Sequence, residues 1–136
     1  MEARVREGFD RQRFMVTLGA SIVRVMPGEV EIVLPCRAEL TQHTGVIHAG
    51  AVTAIADTAC GFAAATLMDA DREVVSVEFK INFLAPAIGD RLRAVGRVVR
   101  AGRTLTVCSA EVFAISGAGE KAVAVMQATM MAITSV

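Results

Sequence analysis

Apolar and polar residues alternate along most of the second half of the chain, with the period of two that is typical of strands. The alternation predicts four strands, at residues 74–84, 90–100, 104–115 and 121–133. Short connections that contain glycine, at 101–102 and 116–119, predict hairpin turns, so we expect antiparallel pairing. In the first of these strands the alternation separates two faces, one with Val75, Val77, Phe79, Ile81 and Phe83 and the other with Ser76, Glu78, Lys80 and Asn82.

The first half of the chain combines two further strands with helices. Residues 29–35 alternate, and the β-branched stretch 17–25 precedes them across a Pro-Gly turn, which predicts a second antiparallel pair. Residues 2–14 predict a short amphipathic helix. Residues 49–68, AGAVTAIADTACGFAAATLM, are rich in alanine and apolar on almost every side, which predicts a buried helix. The order predicts an α+β fold in a single domain, residues 1–136, with an antiparallel sheet wrapped around one long central helix.

One carboxylate interrupts this apolar helix: Asp57 is the only charged residue between Glu39 and Asp69. Burying a carboxylate costs free energy, so a catalytic role is a stronger hypothesis for Asp57 than a structural one. At the start of the helix, unpaired N–H groups can hold a developing oxyanion. Gly50 and Asp57 share a helix face, but they lie about 10 Å apart along the axis at 1.5 Å per residue. We therefore expect a homodimer in which two antiparallel helices build each site together.

The composition independently favours a partner of the same kind. Hydrophobic residues make up 54% of the chain, with 23 Ala and 19 Val, and the formal net charge is zero. This combination is unfavourable for a soluble monomer. Aromatic residues amount to only 4% and there is no excess of positive charge, so we expect no nucleic-acid partner.

Cysteine usage and the N-terminal residues indicate the compartment. Three widely spaced cysteines without a CxxC motif predict reduced thiols and a cytoplasmic location, and the charged first thirteen residues do not resemble a signal peptide. A membrane-anchored interaction protein, spanning with residues 49–68, is an alternative. A central Asp would cost such a span about 2.5–3.5 kcal/mol. No Lys or Arg lies within the ten residues before Ala49, and the first one after the segment is Arg72, so we expect no membrane partner.

Six short stretches of sequence combine in a way that is characteristic of one family. They are Gln42, Gly45-Val46-Ile47-His48-Ala49-Gly50, Ala56-Asp57, Val75-Ser76-Val77 with Phe83-Leu84-Ala85-Pro86, and Ala101-Gly102-Arg103. With them the chain resembles the hotdog-fold acyl-CoA thioesterases of the phenylacetate-degradation and 4-hydroxybenzoyl-CoA types, over about residues 15–134. The resemblance implies a hotdog fold and hydrolysis of acyl-CoA to the free acid and coenzyme A. It also implies a homodimer that often pairs into a homotetramer, and no cofactor, since coenzyme A is part of the substrate.

The resemblance further implies roles for the catalytic residues. Asp57 would attack the thioester or activate water as a general base, and Gln42 would orient that water or polarise the carbonyl. The backbone N–H of Ala49, beside Gly50, would help to hold the oxyanion. The family's His-Gly-Gly pattern reads His-Ala-Gly here, which keeps the N–H group but narrows the space beside the thioester.

Further residues are expected to contact the substrate. His48 would position the loop or the substrate carbonyl, and Ser76 would lie near the nucleophilic water. Gly61 stands where many relatives carry Ser or Thr, which would enlarge the acyl pocket. The phosphates of coenzyme A need cations near the mouth of the site. The candidates for this role are Lys80, Arg97, Arg100 and Arg103.

Other chemistries remain open at this stage. A non-catalytic acyl-CoA-binding module would need no buried carboxylate, and a hotdog dehydratase could use His48 with Asp57. The spacing between His43 and His48 matches no usual ligand pair, so we expect no metal. Cys60 lies one turn after Asp57, but a small buried cysteine is far commoner than a nucleophilic one.

Overall fold

The computed structural model describes residues 1–134, and in them six strands form a single antiparallel sheet around one long helix. In chain order the elements are α1 (Glu2–Asp10), α2 (Arg13–Leu18), β1 (Ser21–Met26), β2 (Glu29–Pro35), α3 (Ala49–Ala65), β3 (Arg72–Phe83), β4 (Arg91–Ala101), β5 (Leu105–Ser116) and β6 (Gly119–Thr134). The strand order is β1-β2-β4-β5-β6-β3, so β3 forms one edge of the sheet. The predicted α+β architecture is confirmed.

Helix α3 lies directly on the sheet because both surfaces are made of very small residues. A Cβ atom placed on Gly96 of β4 would lie 2.4 Å from the carbonyl carbon of Ala59, so the two backbones touch at this point. Next to it, the Cys108 thiol lies 3.5 Å from the carbonyl oxygen of Cys60. The alanines of α3 that face the sheet are buried. The alanine content of the sequence therefore reflects the short distance between helix and sheet.

Helix α3 ends earlier than predicted, at Ala65 rather than at residue 68. The Thr66 hydroxyl donates to the carbonyl of Ala63 at 2.6 Å and accepts the Gly28 N–H at 2.7 Å, which ties the helix end to the β1–β2 turn. Within residues 1–134, no helix combines the length and apolar character needed to cross a membrane.

The prediction that α3 is buried on almost every side is wrong for one face. Ala49 and Gly50 are exposed, and Thr53, Ala54 and Asp57 are half-buried, whereas the opposite face is fully enclosed. The cause is the topology, because a sheet of six strands curves around only part of one helix. The charge in the apolar helix thus lies on the face that the sheet leaves open.

The N-terminal region contains two helices where the sequence predicted one over residues 2–14. The chain breaks at Arg11 and Gln12, and α2 then extends into the stretch that had been predicted as strand. Gly19 ends α2 with a φ of +83°, a left-handed conformation that glycine adopts at low cost. The first strand can therefore begin only at Ser21.

A bulge in β3 changes which side chains share a face. Ser76 lies opposite Met130 and Glu78 lies opposite Thr129, so Val77 has no partner in the ladder. After the bulge the alternation is shifted by one residue. Ser76 therefore faces α3 together with Phe79 and Phe83, and the predicted continuous apolar face from Val75 to Phe83 is wrong.

The contact between Gly96 and α3 makes a prediction about stability. Gly96→Ala should lower the free energy of unfolding by about 3 kcal/mol or more, because the added methyl group meets backbone atoms that cannot move aside. Gly61→Ala is the matched control, because its Cβ would meet only Val74 Cγ1 at 3.6 Å. Alanine in a helix should raise stability there by about 0.5–1 kcal/mol. Urea unfolding followed by circular dichroism measures both, and equal effects would contradict the close approach.

Candidate active site

The Asp57 carboxylate lies on the open face of α3 and is held by a residue of the neighbouring edge strand. The Ser76 hydroxyl donates to Asp57 Oδ1 at 2.7 Å. The Ser76 hydroxyl also lies 3.4 Å from the sulfur of Met130. Because of the bulge at Val77, Ser76 shares the face of β3 that points to α3 with Phe79 and Phe83. The sequence pointed to both residues, and the structure brings them into contact.

A cavity of about 470 Å³ opens beside Asp57. Its wall on the α3 side includes Asp57 and Gly61, and β3 contributes Ser76. The opposite wall comes from the N-terminal helices, through Arg11, Gln12 and Phe14, among others. Sequence reasoning missed this second wall, because nothing local in residues 11–14 shows that they lie against a helix more than forty residues away.

The start of α3 has its own pattern of hydrogen bonds. His48 is the N-cap, and its Nδ1 accepts the Gly50 N–H at 2.7 Å. An imidazole that accepts at Nδ1 carries its proton on Nε2. A Cβ atom on Gly50 would lie 2.9 Å from that Nδ1, so only glycine fits without displacing the cap. The Gly50 N–H is therefore occupied, while the Ala49 N–H has no acceptor among residues 1–134. The expected oxyanion donor, the Ala49 N–H, is thus not used by the cap.

The loop before α3 is folded around Gln42. Its backbone N–H donates to Val46 at 2.9 Å, and its side-chain Oε1 accepts the Thr44 N–H at 2.7 Å. Gly45, with a φ of +90°, makes the tight turn possible. The Nε2 group of Gln42 has no acceptor among the residues that the structure describes, so it can donate to a ligand.

A second cavity, of about 260 Å³, lies beside this loop. Gln42, His48 and Ala49 line it together with apolar residues that include Val52 and Phe83. It shares no lining residue with the cavity at Asp57. Ala49 and Asp57 are eight residues apart on α3, or about 12 Å along the axis. Within one chain the two groups of candidate residues therefore do not meet.

The cations expected near the site lie elsewhere. In the strand register Lys80 lies opposite Gln127 and Arg100 lies opposite Val107. Both side chains are on the face of the sheet that points away from α3. Arg103 lies in the turn between β4 and β5, and Arg97 forms ion pairs with Glu29 and Glu111. None of the four lines either cavity. Alternation in the strands places them on the outer face, which the sequence could not assign without the sheet order.

The cysteines are poorly suited to nucleophilic chemistry. Burial, with smaller contributions from Cys108 and Asp57, raises the pKa of the Cys60 thiol well above its usual range. Burial also raises the pKa of Cys108 to about 11. A thiol is reactive only as the thiolate, so both side chains act as small apolar residues at neutral pH. In residues 1–134 no three His, Cys, Asp or Glu side chains are grouped closely enough to hold a metal ion.

The chain is similar to known proteins over most of its length. A family model described as the thioesterase superfamily matches residues 44–120. A solved thioesterase family protein from Silicibacter pomeroyi is 47% identical, with a TM-score of 0.95 and 97% of each chain covered. The PaaI protein of the E. coli phenylacetic acid degradation operon is 21% identical, with a TM-score of 0.87 over 98% of this chain and 94% of that one. This last likeness concerns the fold, and the predicted hotdog fold is confirmed.

A curated relative is similar over a shorter region. A Saccharolobus solfataricus protein that carries a provisional esterase name is 33% identical over 94 residues. The match covers 69% of this chain and 66% of that protein, so the chain spans about two thirds of the relative's length.

The buried thiols lead to a prediction about chemical modification. At pH 8 the native protein should react with iodoacetamide at Cys60 and Cys108 at least about a hundredfold more slowly than unfolded protein in urea, because both thiols are buried and protonated. Peptide mass spectrometry over time gives the rate at each site. Rapid alkylation of Cys60 that also abolishes thioester hydrolysis would instead support Cys60 as a nucleophile.

Proposed function

The chain belongs to the thioesterase superfamily, and from this premise we propose that it hydrolyses acyl-coenzyme A thioesters to the free acid and coenzyme A. Family membership gives the class of reaction, thioester hydrolysis. The acyl-CoA substrate, the residues and the assembly are our proposal. The observation that carries it is the 2.7 Å hydrogen bond from Ser76 to Asp57 at the wall of an open cavity.

Asp57 is the proposed base or nucleophile. The Ser76 hydroxyl occupies Oδ1, which fixes the orientation of the carboxylate and leaves Oδ2 for the reaction. As a base, Oδ2 takes a proton from a water whose oxygen attacks the thioester carbon. The tetrahedral intermediate then expels the coenzyme A thiolate, which takes up the proton. As a nucleophile, Oδ2 would attack the same carbon and expel the coenzyme A thiolate, which leaves the acyl group bound to Asp57 as an anhydride. Water then hydrolyses the anhydride to the free acid and the Asp57 carboxylate, and the thiolate takes up the proton that this water releases.

The loop and the start of α3 supply the stabilising donors in this proposal. As the carbonyl carbon becomes tetrahedral, negative charge develops on its oxygen, and the free N–H of Ala49 at the positive end of the helix dipole would hold it. The free Nε2 of Gln42 would donate to the carbonyl oxygen or to the attacking water. His48 holds the first turn of the helix through its bond to Gly50, and so it helps to orient the Ala49 N–H.

We further propose that two copies complete each site. One half of the site consists of Asp57 and Ser76, and the other consists of Gln42 and Ala49. Within one chain these two half-sites lie about 12 Å apart, which is too far for one thioester carbonyl to contact both. The open face of α3 and the unpaired edge of β3 adjoin each other, and inward-facing residues of β3 remain 43% exposed at Phe79 and 50% exposed at Phe83. An antiparallel second copy would cover these surfaces and bring its Ala49 to Asp57. A homodimer, or a homotetramer built from such dimers, acting in the cytoplasm is therefore our proposed form.

The geometry favours hydrolysis over the two alternatives. A dehydratase would need His48 as a base, but its Nδ1 already accepts the Gly50 N–H and its Nε2 carries the proton. A module that only binds acyl-CoA would gain nothing from a hydroxyl group that orients a carboxylate. Ser76 and Asp57 are arranged as positioning residue and reacting group.

The first test concerns Asp57 and its partner. Asp57→Asn should lower kcat for acyl-CoA hydrolysis by at least about a thousandfold, because the amide cannot take up a proton. Ser76→Ala should lower kcat by about 10–100-fold through loss of a hydrogen bond to a charged group. Ser109→Ala, on the outer face of the sheet, is the matched control and should stay within about twofold. Release of the free thiol gives the rates, and near-normal turnover of Asp57→Asn would refute the mechanism.

The second test asks whether the site is shared. Asp57→Asn and Gln42→Ala chains should each be nearly inactive alone. Unfolding and refolding them together at equal amounts should restore about a quarter of the wild-type rate, because half the dimers are mixed and each mixed dimer contains one intact site. Mixing without exchange of subunits is the control. If each chain carries a complete site, refolding together will restore nothing.

A further inference from the structure

We propose that the cavity beside Asp57 holds the acyl group of the substrate and that the two N-terminal helices form its specificity-determining wall. In this proposal Phe14 sets the length of the acyl chain that fits. This inference rests on the proposed hydrolysis of acyl-CoA. It assigns a role to a part of the chain, residues 2–18, for which the reaction chemistry has no use.

The N-terminal helices are fixed to the same helix that carries Asp57. The Arg4 guanidinium donates to three carbonyl oxygens at and beyond the end of α3: Ala65 at 2.7 Å, Met68 at 3.0 Å and Asp69 at 2.9 Å. A cation at this position also interacts favourably with the helix dipole. In addition, the Phe9 ring packs against Phe62 with centroids 6.0 Å apart. The wall is therefore held in place by several independent contacts.

Phe14 is the exposed apolar side chain of this wall. Its neighbour Met15 is almost completely buried in the core, whereas Phe14 is 60% exposed although it borders the cavity beside Asp57. An aromatic ring gains most from burial against other apolar groups. An acyl chain in the cavity would supply that contact, and the ring would then limit how far the chain extends.

The size of the cavity fits an acyl group better than the rest of the substrate. A sphere of about 470 Å³ is roughly 10 Å across. The chain between the sulfur and the first phosphate of coenzyme A has about a dozen bonds, which at about 1.2 Å per bond is roughly 15 Å when extended. A thioester placed at Asp57 therefore leaves the phosphates outside this cavity, which has room for an acyl group beside Phe14.

The wall also lies outside the segment that the family model matches. That segment, residues 44–120, contains Asp57, Ser76 and Ala49 of the proposed reaction centre, and Gln42 lies two residues before it. Residues 2–18 precede it. The proposed wall can therefore differ between relatives while the residues of the reaction centre stay the same. Such a division would let one reaction act on different acyl groups.

The test measures kcat/KM for straight-chain acyl-CoAs from acetyl to dodecanoyl. Phe14→Ala should raise the ratio of long-chain to short-chain kcat/KM by about tenfold, and Phe14→Trp should lower it by a similar factor. Hydrolysis of the shortest substrates should stay within about threefold, because Asp57 and Ser76 are unchanged. Val16→Ala is the matched control, since Val16 is on the same helix and 67% exposed but does not line the cavity. Thermal unfolding confirms that each variant is folded.

The possible results separate this inference from the proposed function. If the wild-type protein hydrolyses no acyl-CoA, the proposed function is refuted and this inference with it. If the wild type is active but both Phe14 variants keep the wild-type ratio, the inference alone is overturned. A change in KM that is equal for all acyl lengths also overturns it, because Phe14 would then contact coenzyme A or serve only stability.

Discussion

The direct contact between the α3 backbone and the sheet is the constraint from which the rest of the structure follows. Gly96 lets the carbonyl of Ala59 approach to a distance that any side chain would prevent. A helix so close to the sheet can carry only small residues on its inner face, which explains the long run of alanines. It also brings Asp57, on the helix, within hydrogen-bonding distance of Ser76 on the edge strand. A helix one methyl group further away would separate the two.

The alternation of apolar and polar residues along the sequence predicted much of the fold. Strand β2 has the predicted bounds, residues 29–35, and the four strands of the second half agree with the prediction within a few residues, because alternation is a strong signal in a sheet with one buried face. The errors arose where a single backbone feature interrupts the pattern. Gly19 allows α2 to continue where β-branched residues suggested a strand, and the bulge at Val77 exchanges the faces of β3. Neither feature is visible in hydropathy.

The candidate site was predictable to the extent that it depends on short segments. Asp57, Gln42 and the first turn of α3 could be found because a lone carboxylate and a glycine-containing loop are unusual in their surroundings. Arg11, Gln12 and Phe14 could not be found, since only the packing of α1 against the end of α3 brings them to the cavity. The cations for the coenzyme A phosphates could not be assigned from the sequence for a different reason. Lys80 and Arg100 suit phosphate by charge, but the strand register turns them to the far side of the sheet.

The first turn of α3 shows how one helix end can serve both stability and chemistry. A helix N-terminus has only a few free N–H groups, and each one used for capping is lost to a ligand. Here His48 takes the Gly50 N–H, and the Ala49 N–H remains free. Because Gly50 has no Cβ, the imidazole can lie against it, and the cap leaves the Ala49 N–H available to the proposed oxyanion site. Glycine at position 50 is thus required by the geometry of the helix start, as glycine at position 96 is required by the contact of the sheet with the middle of the helix.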